Sequence, residues 1–152
     1  MPTMIVAESP HTADARALIA ALEAYLIPLY PIEYHYGYSS EQLLAAEVAF
    51  FVIRHQGIAA GCGGIKRCGT GYGEIKRVYV RPPFRGLGLG RRMLEHLTAY
   101  ALEHGAGVLR LETGIYQPEA RRLYERYGFQ RIPPFGDYEE SPFNLFYEKH
   151  IA

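Results

Sequence analysis

Apolar and polar positions along this chain follow two different periods, one typical of helices and one of strands. A short apolar run at residues 3–8 predicts a first strand, which Ser9 and Pro10 end. Apolar residues then recur at three- and four-residue spacing, and Thr12 or Asp14 can cap the first turn, so a helix is predicted next. Its apolar face comprises Leu18, Ile19, Leu22, Leu26 and Leu29.

Strand-like patterns fill much of the remaining chain. Two apolar runs, at residues 48–55 and 58–67, flank the pair Gln56 and Gly57 and predict a hairpin. Further strands are predicted at residues 74–81, 108–113, 129–132 and 143–150, and further helices after residue 89 and from Pro118. This order predicts the fold class α/β (α+β), with a mixed central sheet of about seven strands and helices on both faces.

The composition is that of a folded protein without a strong charge bias. The chain has 152 residues, of which 49% are hydrophobic and 21% charged, and we expect one domain over residues 1–152. Basic and acidic residues both number 16, so neither nucleic acid nor an anionic membrane is an expected partner. No apolar stretch reaches the length needed to cross a bilayer.

Cysteine usage and the N-terminus indicate a cytoplasmic protein. Cys62 and Cys68 are too few for a disulfide framework and have no Cys or His partners at metal-ligand spacing. We therefore expect reduced thiols and no metal site. The first ten residues lack the basic region and the apolar run of a signal peptide.

A glycine loop between a predicted strand and a predicted helix is the main candidate for a binding site. The first N–H groups of a helix have no internal partners, and a loop without side chains lets phosphate oxygens approach them. Gly86, Gly88 and Gly90 alternate strictly, which fits neither the dinucleotide fingerprint nor the nucleotide P-loop. The spacing therefore excludes both common nucleotide sites.

Residues 85–90 resemble the Arg/Gln-x-x-Gly-x-Gly/Ala loop of the GNAT superfamily of N-acetyltransferases, which binds the pyrophosphate of acetyl-CoA. Residues 111–129 resemble the second GNAT signature, a helix with Ala-x-x-x-Tyr that ends at Gly-Phe. The resemblance implies the GNAT acyl-CoA N-acyltransferase fold and acetyl-CoA as cosubstrate. It implies these cofactor-binding residues: Val78, Tyr79, Val80, Arg85, Gly86, Leu87, Gly88, Leu89, Gly90, Arg91 and Gln117.

The same resemblance implies two catalytic residues. Tyr124 matches the tyrosine that protonates the departing thiolate. Glu74 stands where some GNAT enzymes have the glutamate that accepts the amine proton, provided that burial raises its pKa. The alternatives for Glu74 are a solvated carboxylate or an ion pair with Lys76 or Arg110, and Glu112 is a second candidate base.

The acceptor is expected to be a small molecule or an amino-acid-like compound with a primary amine. Tyrosines are concentrated in residues 30–38, and we expect Tyr34, Tyr38 and Glu112 to contact the acceptor. The alternative for these tyrosines is a sheet edge or a dimer contact. The alternatives for the protein are a non-catalytic acyl-CoA-binding module and a protein or peptide N-acetyltransferase. A homodimer is favoured over a monomer, but the sequence leaves this open.

Overall fold

A computed structural model of the chain describes residues 2–35, 37–69 and 71–152. The strands are β1 (Thr3–Ala7), β2 (Ala49–His55), β3 (Ile58–Cys68), β4 (Tyr72–Val80), β5 (Val108–Gly114), β6 (Gln130–Ile132) and β7 (Asn144–His150). The helices are α1 (Ala13–Leu26), α2 (Ser40–Ala45), α3 (Leu89–Glu103) and α4 (Pro118–Tyr127).

All seven strands form one sheet, in the order β1-β2-β3-β4-β5-β7-β6. The β4–β5 pair is parallel, and the other neighbouring strands are antiparallel. The predicted mixed sheet is thereby confirmed. In the described ranges, no helix is both long enough and apolar enough to cross a membrane.

Helices cover both faces of the sheet, and the alternation of apolar residues in β2 shows why. Phe51 and Ile53 face the larger core, which they share with α3. Phe50 and Val52 point the other way and pack with α1 and α2. Successive side chains of a strand point to opposite faces, so the unbroken apolar run of β2 supplies two cores at once.

Local signals set the element ends that lead to the site. The Thr12 hydroxyl accepts a hydrogen bond from the Ala15 N–H at 3.2 Å and caps α1. Ser39 and Gln42 form a capping box at the start of α2. Between these helices the chain forms two short 3-10 turns, Ile27–Leu29 and Ile32–Tyr34, of which the second lies in the tyrosine-rich segment 30–38. Tyr36, within this predicted acceptor segment, lies outside the described residues.

Strand β4 contains a bulge in its pairing with β3. Three β4 steps separate Lys76 from Tyr79 where two β3 steps separate Gly64 from Cys62, so β4 carries one extra residue. Arg77 lies at this bulge with φ of 57°. The pairing of β4 with β5 covers three residue pairs and ends at Glu74 and Arg110, and the strands then diverge.

Candidate active site

The divergence of β4 from β5 opens a groove along β4. The other edge of β4 pairs with β3, through Gly61↔Val80 and Cys62↔Tyr79. Within the described residues, the edge at residues 78–80 that faces β5 has no strand partner, and only a side chain, that of Arg85, bonds to its Val80 carbonyl. This edge can therefore pair with an extended ligand. The groove has a volume of about 490 Å³ and reaches α3 and α4. The predicted cofactor residues that line it are Val78, Tyr79, Val80, Arg85, Gly86, Gly88, Leu89, Gly90, Arg91 and Gln117.

The glycines of the loop have two different roles. Gly86 and Gly88 have φ of 83° and 76°, a conformation that favours glycine, although a Cβ at either position would meet nothing within 4 Å. At Gly90 a Cβ would lie 2.9 Å from Leu123. The first two glycines thus permit the backbone conformation, and Gly90 permits α3 and α4 to pack closely.

The start of α3 is suited to an anionic group. Its first internal hydrogen bond runs from the Arg92 N–H to the Gly88 carbonyl at 3.1 Å. The preceding N–H groups of the first turn have no partner inside the helix and carry the positive end of its dipole. Arg91, Arg122 and Arg126 also line the groove. Together these groups fit the pyrophosphate of acetyl-CoA.

Two residues of the loop depart from the prediction in detail. The Arg85 guanidinium donates to the Val80 carbonyl at 3.0 Å and to the Glu119 carboxylate at 3.1 Å. A pyrophosphate would have to compete with Glu119 for this side chain. Leu87 is 54% exposed and does not line the groove. The Leu87 side chain therefore does not lie with the other predicted cofactor-binding residues.

Tyr124 lies where the groove meets a second cavity, and it lines both. The residue is 7% exposed, and its ring packs edge-on against Phe129 with 5.8 Å between the centroids. Burial, together with the charge of nearby Glu112, raises the pKa of Tyr124. Its hydroxyl therefore stays protonated at neutral pH and can donate a proton.

The second cavity has a volume of about 100 Å³ and lies between β4, β5 and the segment that joins α1 to α2. It brings together Tyr34, Tyr38, Glu74 and Glu112, the residues that the sequence suggested for the acceptor and the base. Tyr34 packs against Phe143 at a centroid distance of 5.1 Å. No group of three or more His, Cys, Asp or Glu side chains among residues 2–35, 37–69 and 71–152 could hold a metal ion.

Glu74 is buried and already has two polar partners. Its Oε2 atom lies 2.8 Å from the Lys76 ammonium and accepts a hydrogen bond from the Tyr138 hydroxyl at 2.5 Å. The Lys76 ammonium also lies 4.1 Å from the centre of the Tyr38 ring. The ion pair with Lys76, one of the alternatives for Glu74, is thus present.

Glu112 has a different environment, because its hydrogen-bond partner is neutral. The Asn144 amide donates to the Glu112 carboxylate at 2.6 Å, and the Ser141 hydroxyl donates to the Asn144 amide oxygen at 2.5 Å. Burial raises the pKa of Glu112 to about 7, although the Asn144 hydrogen bond and the Lys76 charge oppose this shift. Such a carboxylate is suited to accepting a proton near neutral pH.

Arg77 completes the charged lining of the cavity. The bulge directs its side chain into the interior, where it pairs with Glu23 and donates to the Tyr38 carbonyl at 3.0 Å. A Cβ on Gly37 would overlap the Arg77 guanidinium, so glycine is needed there. Burial lowers the pKa of Arg77 to about 10, and the side chain remains cationic at neutral pH.

The polar residues of the cavity that were not among the predicted site residues include Tyr30, Arg77, Tyr138 and Asn144. Tyr30 lies in the tyrosine-rich segment 30–38, so composition was the available signal for it, whereas Tyr138 lies in the loop between β6 and β7, which has no such concentration. Asn144 opens β7 and reaches Glu112 through the β5–β7 register. The position of Arg77 in the cavity could not be predicted, because nothing in the local sequence indicates that this arginine has a positive φ.

Comparisons with known proteins agree with this geometry. The model of the Acetyltransferase (GNAT) family matches residues 15–129. An IAA acetyltransferase of Azospirillum brasilense is 40% identical over 99% of this chain and all of its own length. A solved structure from Klebsiella pneumoniae, described as an acyl-CoA N-acyltransferase, is 38% identical and superposes with a TM-score of 0.86, covering 99% of this chain and 98% of its own.

A more distant structure shares the fold and holds the cosubstrate. This GNAT acetyltransferase of Elizabethkingia anophelis, with acetyl-CoA bound, has a TM-score of 0.71 at 17% identity and covers 97% of each chain. The free edge of β4, the open first turn of α3 and its flanking arginines fit that molecule here. The chain belongs to the GNAT family of N-acetyltransferases, which transfer the acetyl group of acetyl-CoA.

Proposed function

We propose that this enzyme acetylates the primary amine of a small molecule by direct transfer in a ternary complex. The observation that supports this most is the position of Tyr124, which lines both the groove suited to acetyl-CoA and the cavity that contains Glu112. An acceptor in that cavity would lie next to the thioester, so the transfer needs no acyl-enzyme. Cys62 is buried and Cys68 lines neither cavity.

The proposed reaction uses one proton acceptor and one proton donor. The acceptor ammonium first releases one proton to solvent and becomes a neutral amine. Its nitrogen then attacks the thioester carbonyl carbon, a C–N bond forms and the C–S bond breaks. Glu112 accepts the proton that the amine loses, and Tyr124 donates its hydroxyl proton to the departing sulfur. Glu112 is then protonated and Tyr124 is a phenolate, and transfer of one proton through solvent restores both residues.

Glu112 is a better candidate base than Glu74 for an electrostatic reason. Glu74 is paired with Lys76 at 2.8 Å, whereas Glu112 is bonded to the neutral Asn144 amide and has its pKa raised to about 7. A base works best when its pKa lies near the working pH. We therefore assign Glu74 to holding Lys76 and Tyr138, and Glu112 to the proton transfer.

Titration calorimetry with acetyl-CoA and CoA, followed by a thiol-release screen, tests the proposal. The acceptor panel contains alkyl and aryl amines, amino acids, short peptides and IAA, the compound in the name of the Azospirillum relative. We expect acetyl-CoA binding and thiol release with small amines. Binding with release only for peptides or only for IAA would contradict the proposed acceptor class.

We also propose a cytoplasmic enzyme of one domain. One continuous sheet includes strands from both ends of the chain, and both cysteines are free thiols. A homodimer is the expected assembly. Light scattering at several protein concentrations measures the assembly directly, and a constant monomer mass would contradict it.

A further inference from the structure

In the second cavity, where the acceptor would bind, negative side chains outnumber positive ones. Three carboxylates line it, on Glu23, Glu74 and Glu112, against two cations, on Lys76 and Arg77. Arg77 pairs with Glu23, and Lys76 pairs with Glu74. With His35 neutral, the cavity therefore has a net charge of −1 whenever Glu112 is ionised.

The cations of the cavity are already engaged. The Arg77 guanidinium also donates to the Tyr38 carbonyl, and the Lys76 ammonium also donates to the Tyr138 hydroxyl at 2.9 Å. A carboxylate on the acceptor could bind Lys76 only by separating it from buried Glu74, and Arg77 only by displacing the half-buried Glu23. Separation of a buried ion pair is strongly unfavourable, because it leaves a charge without its partner.

The remaining walls favour a cation as well. Phenol side chains surround the space next to Glu112, and the ring faces of tyrosine attract positive charge. Those that line the cavity are Tyr30, Tyr34, Tyr38, Tyr124 and Tyr138. An ammonium group placed beside Glu112 would thus meet a carboxylate and aromatic rings, and both lysine and arginine cations that the described residues place in the cavity already have acidic partners.

We propose that the acceptor is a cationic amine without a carboxylate beside its amino group, so that the enzyme selects a decarboxylated amine over the parent α-amino acid. This inference rests on the proposed function. An α-carboxylate would lie within a few ångströms of Glu112 whenever the amino group is held there. Like charges at that distance repel strongly in a poorly solvated cavity.

Matched pairs test the selection without reference to any one substrate. Tyramine and tyrosine, histamine and histidine, and agmatine and arginine differ within each pair only in the α-carboxylate. We expect kcat/KM in thiol release to be at least about tenfold higher for the amine of any pair that reacts, as expected for one unfavourable charge contact. Calorimetry in the presence of CoA gives the same comparison for binding alone.

A Glu112→Gln variant separates charge selection from proton transfer. Loss of a base would lower kcat/KM equally for both members of a pair, whereas loss of the negative charge would bring their binding constants together. We expect the ratio of the binding constants of the amine and its parent amino acid to fall towards one in Glu112→Gln. The ratio should stay unchanged in Glu103→Gln, because Glu103 is an exposed residue at the end of α3.

The outcomes distinguish the two proposals. Equal binding of amine and amino acid, preference for the amino acid, or binding of neither member of any pair would overturn the charge selection. Preferential binding of the amines without thiol release from any acceptor would support the selection and count against the proposed acetyl transfer to amines.

Discussion

The Tyr30 hydroxyl donates a hydrogen bond to the Gln117 amide oxygen at 3.2 Å. The same hydroxyl accepts from the Tyr116 N–H at 3.0 Å, and the Gln117 oxygen also accepts from the Gly114 N–H at 3.1 Å. Tyr30 thus connects the segment after α1 to the end of β5 and the start of α4. Its ring approaches β5 so closely that a Cβ on Gly114 would overlap its hydroxyl.

Tyr30→Phe should weaken this connection without removing the ring. Burial raises the pKa of Tyr30 to about 12, so the hydroxyl is a proton donor throughout the working range. Because one hydrogen bond contributes about 0.5–1.5 kcal/mol, we expect KM for the acceptor to rise about two- to tenfold with kcat little changed. Steady-state kinetics measure this, and Tyr100→Phe in α3, at a residue that lines neither cavity, is the control. An unchanged KM would show that the connection does not order the cavity.

Tyr124→Phe should remove the proton donor and keep the packing. We expect kcat to fall by about 10²–10⁴, the range for loss of a general acid, with acetyl-CoA affinity nearly unchanged. Tyr127→Phe on the same helix is a matched control, since that hydroxyl bonds to Thr98 at 2.9 Å and lines neither cavity. It should lower stability slightly and leave kcat near the wild-type value. Wild-type turnover by Tyr124→Phe would exclude the assigned role.

The pH dependence of kcat/KM should reflect the ionisation of Glu112. A carboxylate base acts in its deprotonated form, so activity should rise as the pH increases through about 7, the raised pKa of Glu112. Glu112→Gln should abolish this limb of the profile. The other titratable groups that influence Glu112 or lie beside it are Tyr30, Glu74, Lys76, Arg77 and Tyr124.

Asn144→Ala tests the same assignment with the carboxylate intact. The Asn144 hydrogen bond favours the ionised form and lowers the pKa of Glu112, so its removal should move the activity limb to higher pH. A structural defect would lower activity at every pH without moving the limb. If the rise of kcat/KM with pH stays in place in both Glu112→Gln and Asn144→Ala, that rise reflects the ionisation of another group, such as the acceptor amine.

Gly88→Glu should prevent binding of acetyl-CoA. The positive φ of Gly88 strains any side chain, and a carboxylate there would repel the pyrophosphate at the start of α3. Gly88→Gln has the same strain and nearly the same size without the charge. Calorimetry should show that both variants bind acetyl-CoA more weakly than the wild type, and that Gly88→Glu binds it more weakly than Gly88→Gln. Tight binding by Gly88→Glu would contradict the placement of the pyrophosphate.

The sequence predicted the features that depend on local pattern. The strand before the glycine loop, the cap at Thr12 and the position of Tyr124 all follow from short-range signals. The hydrogen-bond and ion-pair partners of Glu74 and Glu112 do not follow from such short-range signals. Lys76 lies two residues from Glu74 on the same face of β4, so the ion pair could be anticipated as an alternative and was confirmed only by three-dimensional contact.

Longer-range features needed the fold itself. Asn144 reaches Glu112 because β5 and β7 pair in one particular register, Glu112↔Phe146 and Gly114↔Asn144, which no local pattern specifies. Tyr138 reaches Glu74 from a loop 64 residues away in the chain. The bulge at Arg77 places an arginine at φ of 57°, a conformation that its residue type disfavours and that tertiary contacts must impose.

The short contact between β4 and β5 also has a mechanical consequence. Only three residue pairs of those strands join the four-stranded half of the sheet to the three-stranded half, counted over the described residues. A cosubstrate that pairs with the free edge at residues 78–80 and contacts α4 would bridge the two halves. Binding of acetyl-CoA in the groove would then make the whole sheet more rigid. Backbone amides far from the thioester would therefore exchange with solvent more slowly once acetyl-CoA is bound.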